Sequence, residues 1–383
     1  MAEIIYPDYN KSILNLITSI LKYYHVETAH TSLSKLDKIL EKNYKNVVFI
    51  VLDGMGEHIL RNISENGFLR KNELDCITSV YPSTTTSAMT TYYTGMPPYE
   101  SGWIAWSQYF KEYGRAIDML PHKESYQNDT LKNARVDVFN EIVNYDSIFN
   151  RIEEASNDVK TYEITPDYCD IKSKRSIRAN NIEQICEAVE MVCASEGRKF
   201  IMGYCDNPDS LLHKYGCKSQ EATDMVINAQ EKIENMCRKL KETLVIISAD
   251  HGHKDINQAY SILDYPEIQD CLIMPASLES RSLTFWVKED KKEEFEELFN
   301  KNFSGKFILL TKEEFLDKRF LGYGKKHKKI DDFIGNYVAL SISDAIIRLE
   351  TQLAEGKKVK KSTHCGLTKE EMEVPLIVIE TNN

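Results

Sequence analysis

The run Asn46-Val47-Val48-Phe49-Ile50-Val51-Leu52 is apolar, rich in β-branched residues and free of polar alternation. A strand of this kind has two faces to bury, which suits the centre of a parallel sheet covered on both sides. Lys199–Tyr204 and Leu244–Ser248 repeat the pattern, and helical periodicity marks Ser147–Ala155, Asn181–Ser195 and Ala222–Glu242 between and around them. Asp75–Val80, Val159–Ile164 and Val374–Ile379 supply further strands, and Asn10 is expected to cap a first packing helix. Strand and helix alternate, so the chain is predicted to be α/β, with a mainly parallel central sheet flanked by helices.

Residues 258–335 interrupt this rhythm with strand-like Leu283–Val287 and Lys306–Leu310, a charged helix at Lys291–Asn300 and a basic loop at Gly322–Lys329. They predict a small α+β insertion, or cap. The catalytic core is then discontinuous, 1–257 and 336–383, with Tyr337–Ile342 returning to the core sheet. Residues 96–146 read as an irregular aromatic stretch suited to walling a pocket, although core packing is the expected role of Trp103 and Trp106. Two basic runs, Lys325-Lys326-His327-Lys328-Lys329 and Lys357-Lys358 with Lys360-Lys361, read as solvated charge, with contact to a substrate phosphate as the functional alternative.

Lys and Arg total 48 against 59 Asp and Glu, a formal charge of −11, which argues against a nucleic-acid polymer as partner. The first ten residues lack the basic flank and apolar stretch of a secretory signal, and no run nears the roughly 18 apolar residues of a membrane span. A cytoplasmic protein with no membrane partner is expected. Nine cysteines without a Cys-x-x-Cys pair fit reduced thiols, with Cys205 and Cys365 close to the acids and histidines described next.

Those acids and histidines follow predicted strands. Asp53 ends the first, Thr85 lies in a hydroxyl cluster after the second, Asp209 and His213 follow Lys199–Tyr204, and Asp250-His251 follows Leu244–Ser248. His364 precedes the last strand. Parallel strands deliver their C-terminal residues to one edge of a sheet, and acid–imidazole groups there suit a two-metal hydrolytic site. Asp209 and His213, four apart, share a helix face, and Gly252 allows the chain to bend after Asp250-His251. His253 reads equally as a ligand or as a support that orients one.

In order, Val51-Leu52-Asp53-Gly54, Tyr81-Pro82-Ser83-Thr84-Thr85, Thr94-Gly95-Met96-Pro97-Pro98, Asn207-Pro208-Asp209 to His213, Ala249-Asp250-His251-Gly252 and His364 before Gly366-Leu367 resemble the alkaline phosphatase superfamily, in its type I phosphodiesterase and nucleotide pyrophosphatase branch. The resemblance implies two divalent metal ions. Asp209, His213 and His364 would hold one; Asp53, Asp250, His251 and the Thr85 oxygen would hold the other. Zinc suits this mixed ligation best, with manganese or iron as alternatives. It further implies Thr85 as nucleophile, in preference to Thr84 or Thr86, a phospho-threonine intermediate, and a small phosphodiester or pyrophosphate substrate, possibly a nucleotide. An Asn expected three residues after the nucleophile is replaced by Ala88, which leaves nucleotide specificity open. A phosphomonoesterase or phosphonate hydrolase is the alternative on the same fold, and a phosphosugar mutase a further one.

Overall fold

The computed structural model describes residues 2–125, 137–349, 356 and 358–381. Its central sheet has seven strands in the order Glu73–Thr78, Glu373–Glu380, Thr243–Ser248, Asn46–Leu52, Arg198–Cys205, Val159–Thr165 and Ser176–Arg178. Asn46–Leu52 pairs in parallel with a strand on each side and is buried along its whole length, as its unbroken apolar sequence requires. Helices at Ile13–Tyr23, Ile182–Cys193 and Gln220–Lys239 bury apolar stripes against the sheet. The first is capped by Ser12, whose N–H donates to Asn15 Oδ1 at 2.8 Å, and not by Asn10 as expected.

Glu373–Glu380 is the exception to the parallel rule: it runs antiparallel to both neighbours. That reversal matters for the site. The parallel strands finish at one edge of the sheet, and a reversed strand begins at that same edge. The segment before it, which carries His364, therefore reaches the ends of the others. A two-residue ladder, Lys254–Asp255 with Ser362–Thr363, fastens that segment beside the Asp250-His251 loop.

A second, antiparallel sheet of seven strands stands over this edge. Its order is Phe307–Thr311, Tyr337–Ser341, Ser282–Phe285, Ser277–Glu279, Ser107–Phe110, Arg115–Asp118 and Lys123–Glu124. Two expectations change here. Tyr337–Ser341 belongs to this sheet, between Phe307–Thr311 and Ser282–Phe285, and not to the core sheet. Residues 107–124 are not irregular, since they supply three of its strands. Both segments are short, and hydrophobic pattern alone carries no information on which sheet a short strand joins.

The two sheets are joined by a buried ion pair. Arg281, in the turn between Ser277–Glu279 and Ser282–Phe285, forks onto Glu371 with Nε–Oε1 at 2.6 Å and Nη2–Oε2 at 2.7 Å, and both side chains are fully buried. Nη1 and Nη2 also donate to the carbonyls of Ala345 and Ser343. Glu371 also accepts from the backbone N–H of Gly366 at 2.7 Å and from the Thr368 hydroxyl. Gly366 has no room for a side chain: a Cβ there would lie 2.7 Å from the Arg281 guanidinium.

No helix among the described residues is long and apolar enough to cross a membrane, and all nine cysteines are free thiols. Replacing Arg281 with Met strands the Glu371 carboxylate in a dry interior. Urea unfolding is expected to show a loss of about 3–5 kcal/mol. A loss below about 1 kcal/mol would mean that the pair is not the brace described here.

Candidate metal centre

Asp53 extends the central strand by one residue: its N–H donates to Cys205 O at 2.9 Å, and its own carbonyl accepts from Asp209 N at 2.9 Å. That second bond ties the end of one strand to the start of the helix Asp209–Tyr215, so the Asp53 and Asp209 carboxylates face the same space. Asp53 caps no helix, since the next helix starts from Gly56. Gly54 takes φ +73°, and a Cβ there would come within 3.0 Å of Asp209 Cα. Gly252 is required by close approach, because a Cβ would stand 2.0 Å from Glu370 O.

The side chains gather in two groups. Asp53, Asp250 and His251 form one; Asp209, His213, His253 and His364 form the other. His251 Nε2 lies 3.5 Å from Asp53 Oδ1 and 3.4 Å from Asp250 Oδ2. In the second group Asp209 Oδ1 is 3.4 Å from His213 Nε2, 3.7 Å from His364 Nε2 and 2.6 Å from His253 Nε2. The His251 and His364 rings stack at 3.8 Å, so the groups adjoin.

Hydrogen bonding separates three of these histidines from the fourth. Nδ1 of His213, His251 and His364 faces a backbone carbonyl, respectively Ser362 O at 2.7 Å, Gly252 O at 3.0 Å and Ser83 O at 3.2 Å. A carbonyl only accepts, so Nδ1 carries the proton and Nε2 turns a lone pair inward. Wherever the carboxyls are ionised, those lone pairs confront acceptor oxygens. Asp53 Oδ1 and Asp250 Oδ2, both buried, have no hydrogen-bond partner at all. Acceptor against acceptor is an arrangement that a cation fits and a hydrogen-bond network does not. His253 differs: its Nδ1 faces the Ser362 hydroxyl at 3.1 Å while Nε2 sits at short range on Asp209.

Burial, followed by the charges of Asp250 and Asp209, pushes Asp53 well above the usual carboxylate range. Burial likewise raises Asp250 against the pull of His251. On Asp209 burial is outweighed by the imidazoles of His213, His253 and His364, which hold the carboxyl well below its ordinary range. Burial depresses His213 and His364 and brings His253 to about 3, so these rings are neutral at pH 7.

Thr85 is the first residue of the helix Thr85–Thr94. Its hydroxyl oxygen lies 3.2 Å from His251 Nε2 and 3.5 Å from Asp53 Oδ2, and it borders open space. The neighbouring hydroxyls are placed differently. Thr84 is buried and donates to Glu279 at 3.0 Å, and Thr86 is buried with no partner.

Cavities of about 320 and 390 Å³ meet at Thr85, Trp106 and Asp209. Trp106 is 39% exposed at this junction, in contrast to the packing role expected from sequence. Trp103 does pack: it is buried, and Nε1 donates to Val143 O at 2.8 Å. Ala88 is fully buried in the core and borders neither cavity. Among the described residues neither Cys205 nor Cys365 joins either group.

Sequence reading missed several participants. The Tyr204 hydroxyl donates to Asp53 Oδ2, and Tyr204 pairs in register with Val51 next to the strand end; a polar aromatic in the penultimate position was the available signal. Ser362, Glu279 and Arg281 left no such signal, because their partners lie far away in the chain.

Residues 47–334 match the family described as type I phosphodiesterase / nucleotide pyrophosphatase. No curated relative matches in sequence. Among solved structures, the chain is similar to murine ectonucleotide pyrophosphatase / phosphodiesterase 5, an inactive variant in complex with AMP, at TM-score 0.64 and 15% identity over 86% of this chain and 87% of that one. The human ectonucleotide pyrophosphatase / phosphodiesterase 5 gives TM-score 0.64 and 14% identity over 87% of each chain. Phosphonoacetate hydrolase from Sinorhizobium meliloti 1021, with phosphonoformate, gives TM-score 0.61 and 16% identity over 86% of this chain and 89% of that one. With three quarters of its length inside the family match, this chain belongs to the type I phosphodiesterase / nucleotide pyrophosphatase family and is a hydrolase of phosphoric ester or anhydride bonds.

Proposed function

We propose that the protein hydrolyses phosphodiester or pyrophosphate bonds of small substrates, with Thr85 as nucleophile and a phospho-threonine as intermediate. The observation that carries this reading is the position of the Thr85 hydroxyl, at the junction of the cavities and against the Asp53–Asp250–His251 group. Asp53, Asp250 and His251 would hold one divalent ion and Asp209, His213 and His364 the other, with zinc the best match to mixed carboxylate and imidazole donors. When bound, such ions supply positive charge that lowers the pKa of a hydroxyl and offsets charge building up on phosphoryl oxygens.

The chain's own residues do the rest. The helix start holds Thr85 with its hydroxyl toward the cavities, and backbone N–H groups of that first turn offer donors to a phosphoryl oxygen. Thr85 attacks phosphorus in line; the Oγ–P bond forms as the bond to the leaving oxygen breaks. Water then cleaves the phospho-threonine and regenerates the hydroxyl. Tyr204 orients Asp53 by donating to its Oδ2, and His253, at 2.6 Å from Asp209, orients that carboxylate in the second group. The free thiols support a reducing, cytoplasmic setting.

Purified protein is expected to turn over bis-p-nitrophenyl phosphate in preference to p-nitrophenyl phosphate. Thr85→Ala should lower kcat by at least about a thousandfold with circular dichroism unchanged; unaltered turnover would remove the assignment. A preference for the monoester would favour a phosphomonoesterase instead. Dialysis against a chelator should abolish activity, and re-addition of zinc or manganese should restore it. Full activity in rigorously chelated protein would contradict the role given to the acids and histidines.

A further inference from the structure

We propose that Glu279 is the acid–base residue of the reaction: it protonates the leaving oxygen as Thr85 attacks, and it takes a proton from water as the phospho-threonine is cleaved. This rests on the reading of Thr85 as nucleophile. In-line displacement places the leaving oxygen opposite the attacking one. Thr85 Oγ1 lies beside Asp53 and His251, so the departing group leaves on the side of Asp209, His213 and His364. One cavity borders Thr85 and those three residues together, and Glu279 stands on its wall. Water must enter from that same side for the second in-line step. One carboxyl on this wall can therefore serve both steps.

The local structure holds Glu279 in place for this. It ends the strand Ser277–Glu279, and Leu278 just before it has φ +81°, the left-handed region that a residue with a side chain disfavours. Backbone outliers of this kind persist only where their surroundings hold them, and they collect at functional sites. Here the pairing of Leu278 with Ser107 holds one side and the buried Arg281–Glu371 pair the other. The Glu279 carboxyl receives two donors, the Thr84 hydroxyl at 3.0 Å and Trp106 N–H at 2.7 Å, and both fall on Oε1. Oε1 is thereby the acceptor oxygen, and in the neutral acid the proton sits on Oε2. Burial pushes the carboxyl up to about 7, against the pull of Trp106 N–H, the Thr84 hydroxyl and the charge of Lys360, with Asp118 adding to the rise. Cys365, the other titratable neighbour, is a neutral thiol that burial holds well above its ordinary value. Both protonation states of Glu279 are thus populated near neutral pH, as a group that first gives and then takes a proton requires. In the first step the phosphorus–oxygen bond breaks with its electron pair on the departing oxygen, which takes the Oε2 proton; the Thr85 Oγ–P bond forms and the hydroxyl proton goes to solvent. In the second, the Glu279 carboxylate takes a proton from water as the water oxygen bonds to phosphorus. The Oγ–P bond breaks, and Thr85 recovers its proton from solvent.

The test holds the retained portion of the substrate fixed and varies the leaving group. The p-nitrophenyl and phenyl esters of thymidine 5′-monophosphate are compared by kcat/KM, which reports the steps up to release of the first product. Nitrophenolate departs without a proton, whereas phenolate, a much stronger base, needs one. Glu279→Gln keeps an acceptor for Thr84 and Trp106 but has no acidic proton. In that variant the kcat/KM for the phenyl ester, relative to that for the nitrophenyl ester, is expected to fall about a hundredfold. An equal fall for both esters reduces Glu279 to a tie between Thr84 and Trp106 and overturns the proposal, as does no fall at all. The wild-type protein gives a second reading that needs no variant. The same ratio is expected to decline as pH rises through about 7, where Glu279 loses its proton; a ratio that stays constant there overturns the proposal as well. Wild-type protein that turns over neither ester overturns the functional reading beneath it.

Discussion

The contact between Arg281 and Glu371 is the point on which the geometry of the centre depends. Glu371 lies just before the one reversed strand of the core sheet. Its carboxylate fixes Gly366, two residues after His364, and its carbonyl accepts from Gly252 N–H at 2.9 Å, one residue after His251. Arg281 clamps this residue from the second sheet. One buried ion pair therefore sets the position of a loop from each acid–imidazole group and the seating of the sheet that covers them. Buried ion pairs contribute little net stability, because desolvation offsets the attraction. What this one supplies is register between parts of the chain 90 residues apart.

The centre itself is electrostatically incomplete in its protein atoms. Asp53, Asp209 and Asp250 converge in a space lined by imidazoles, and Nε2 of three of those rings faces the carboxylates. Folding places these groups together at a cost that their mutual contacts do not return. The same feature is one that divalent cations would complement.

Much of this was legible in the sequence. Buried parallel strands declare themselves by unbroken β-branched runs, and Asp53, Asp209 and Asp250 were found because each stands at the end of one. His213 followed from helical spacing. What stayed hidden depends on distance through space. The direction of Glu373–Glu380 has no sequence signature, yet it is what brings His364 to the centre. Short strands at 107–124 and 337–341 look alike whichever sheet they join. Trp106 was misread for a related reason: a residue's side of a helix or strand decides whether it faces a cavity or the core, and residue type does not reveal it. The bond from Thr84 to Glu279, nearly 200 residues away, is equally invisible in the sequence.

The most direct test of the central claim is the number of ions bound per chain. Metal-free protein titrated with zinc, and analysed for bound metal after removal of excess, should hold two ions. His213→Ala/His364→Ala should hold one, retained by Asp53, Asp250 and His251. Wild-type protein that binds a single ion, or none, would contradict the account.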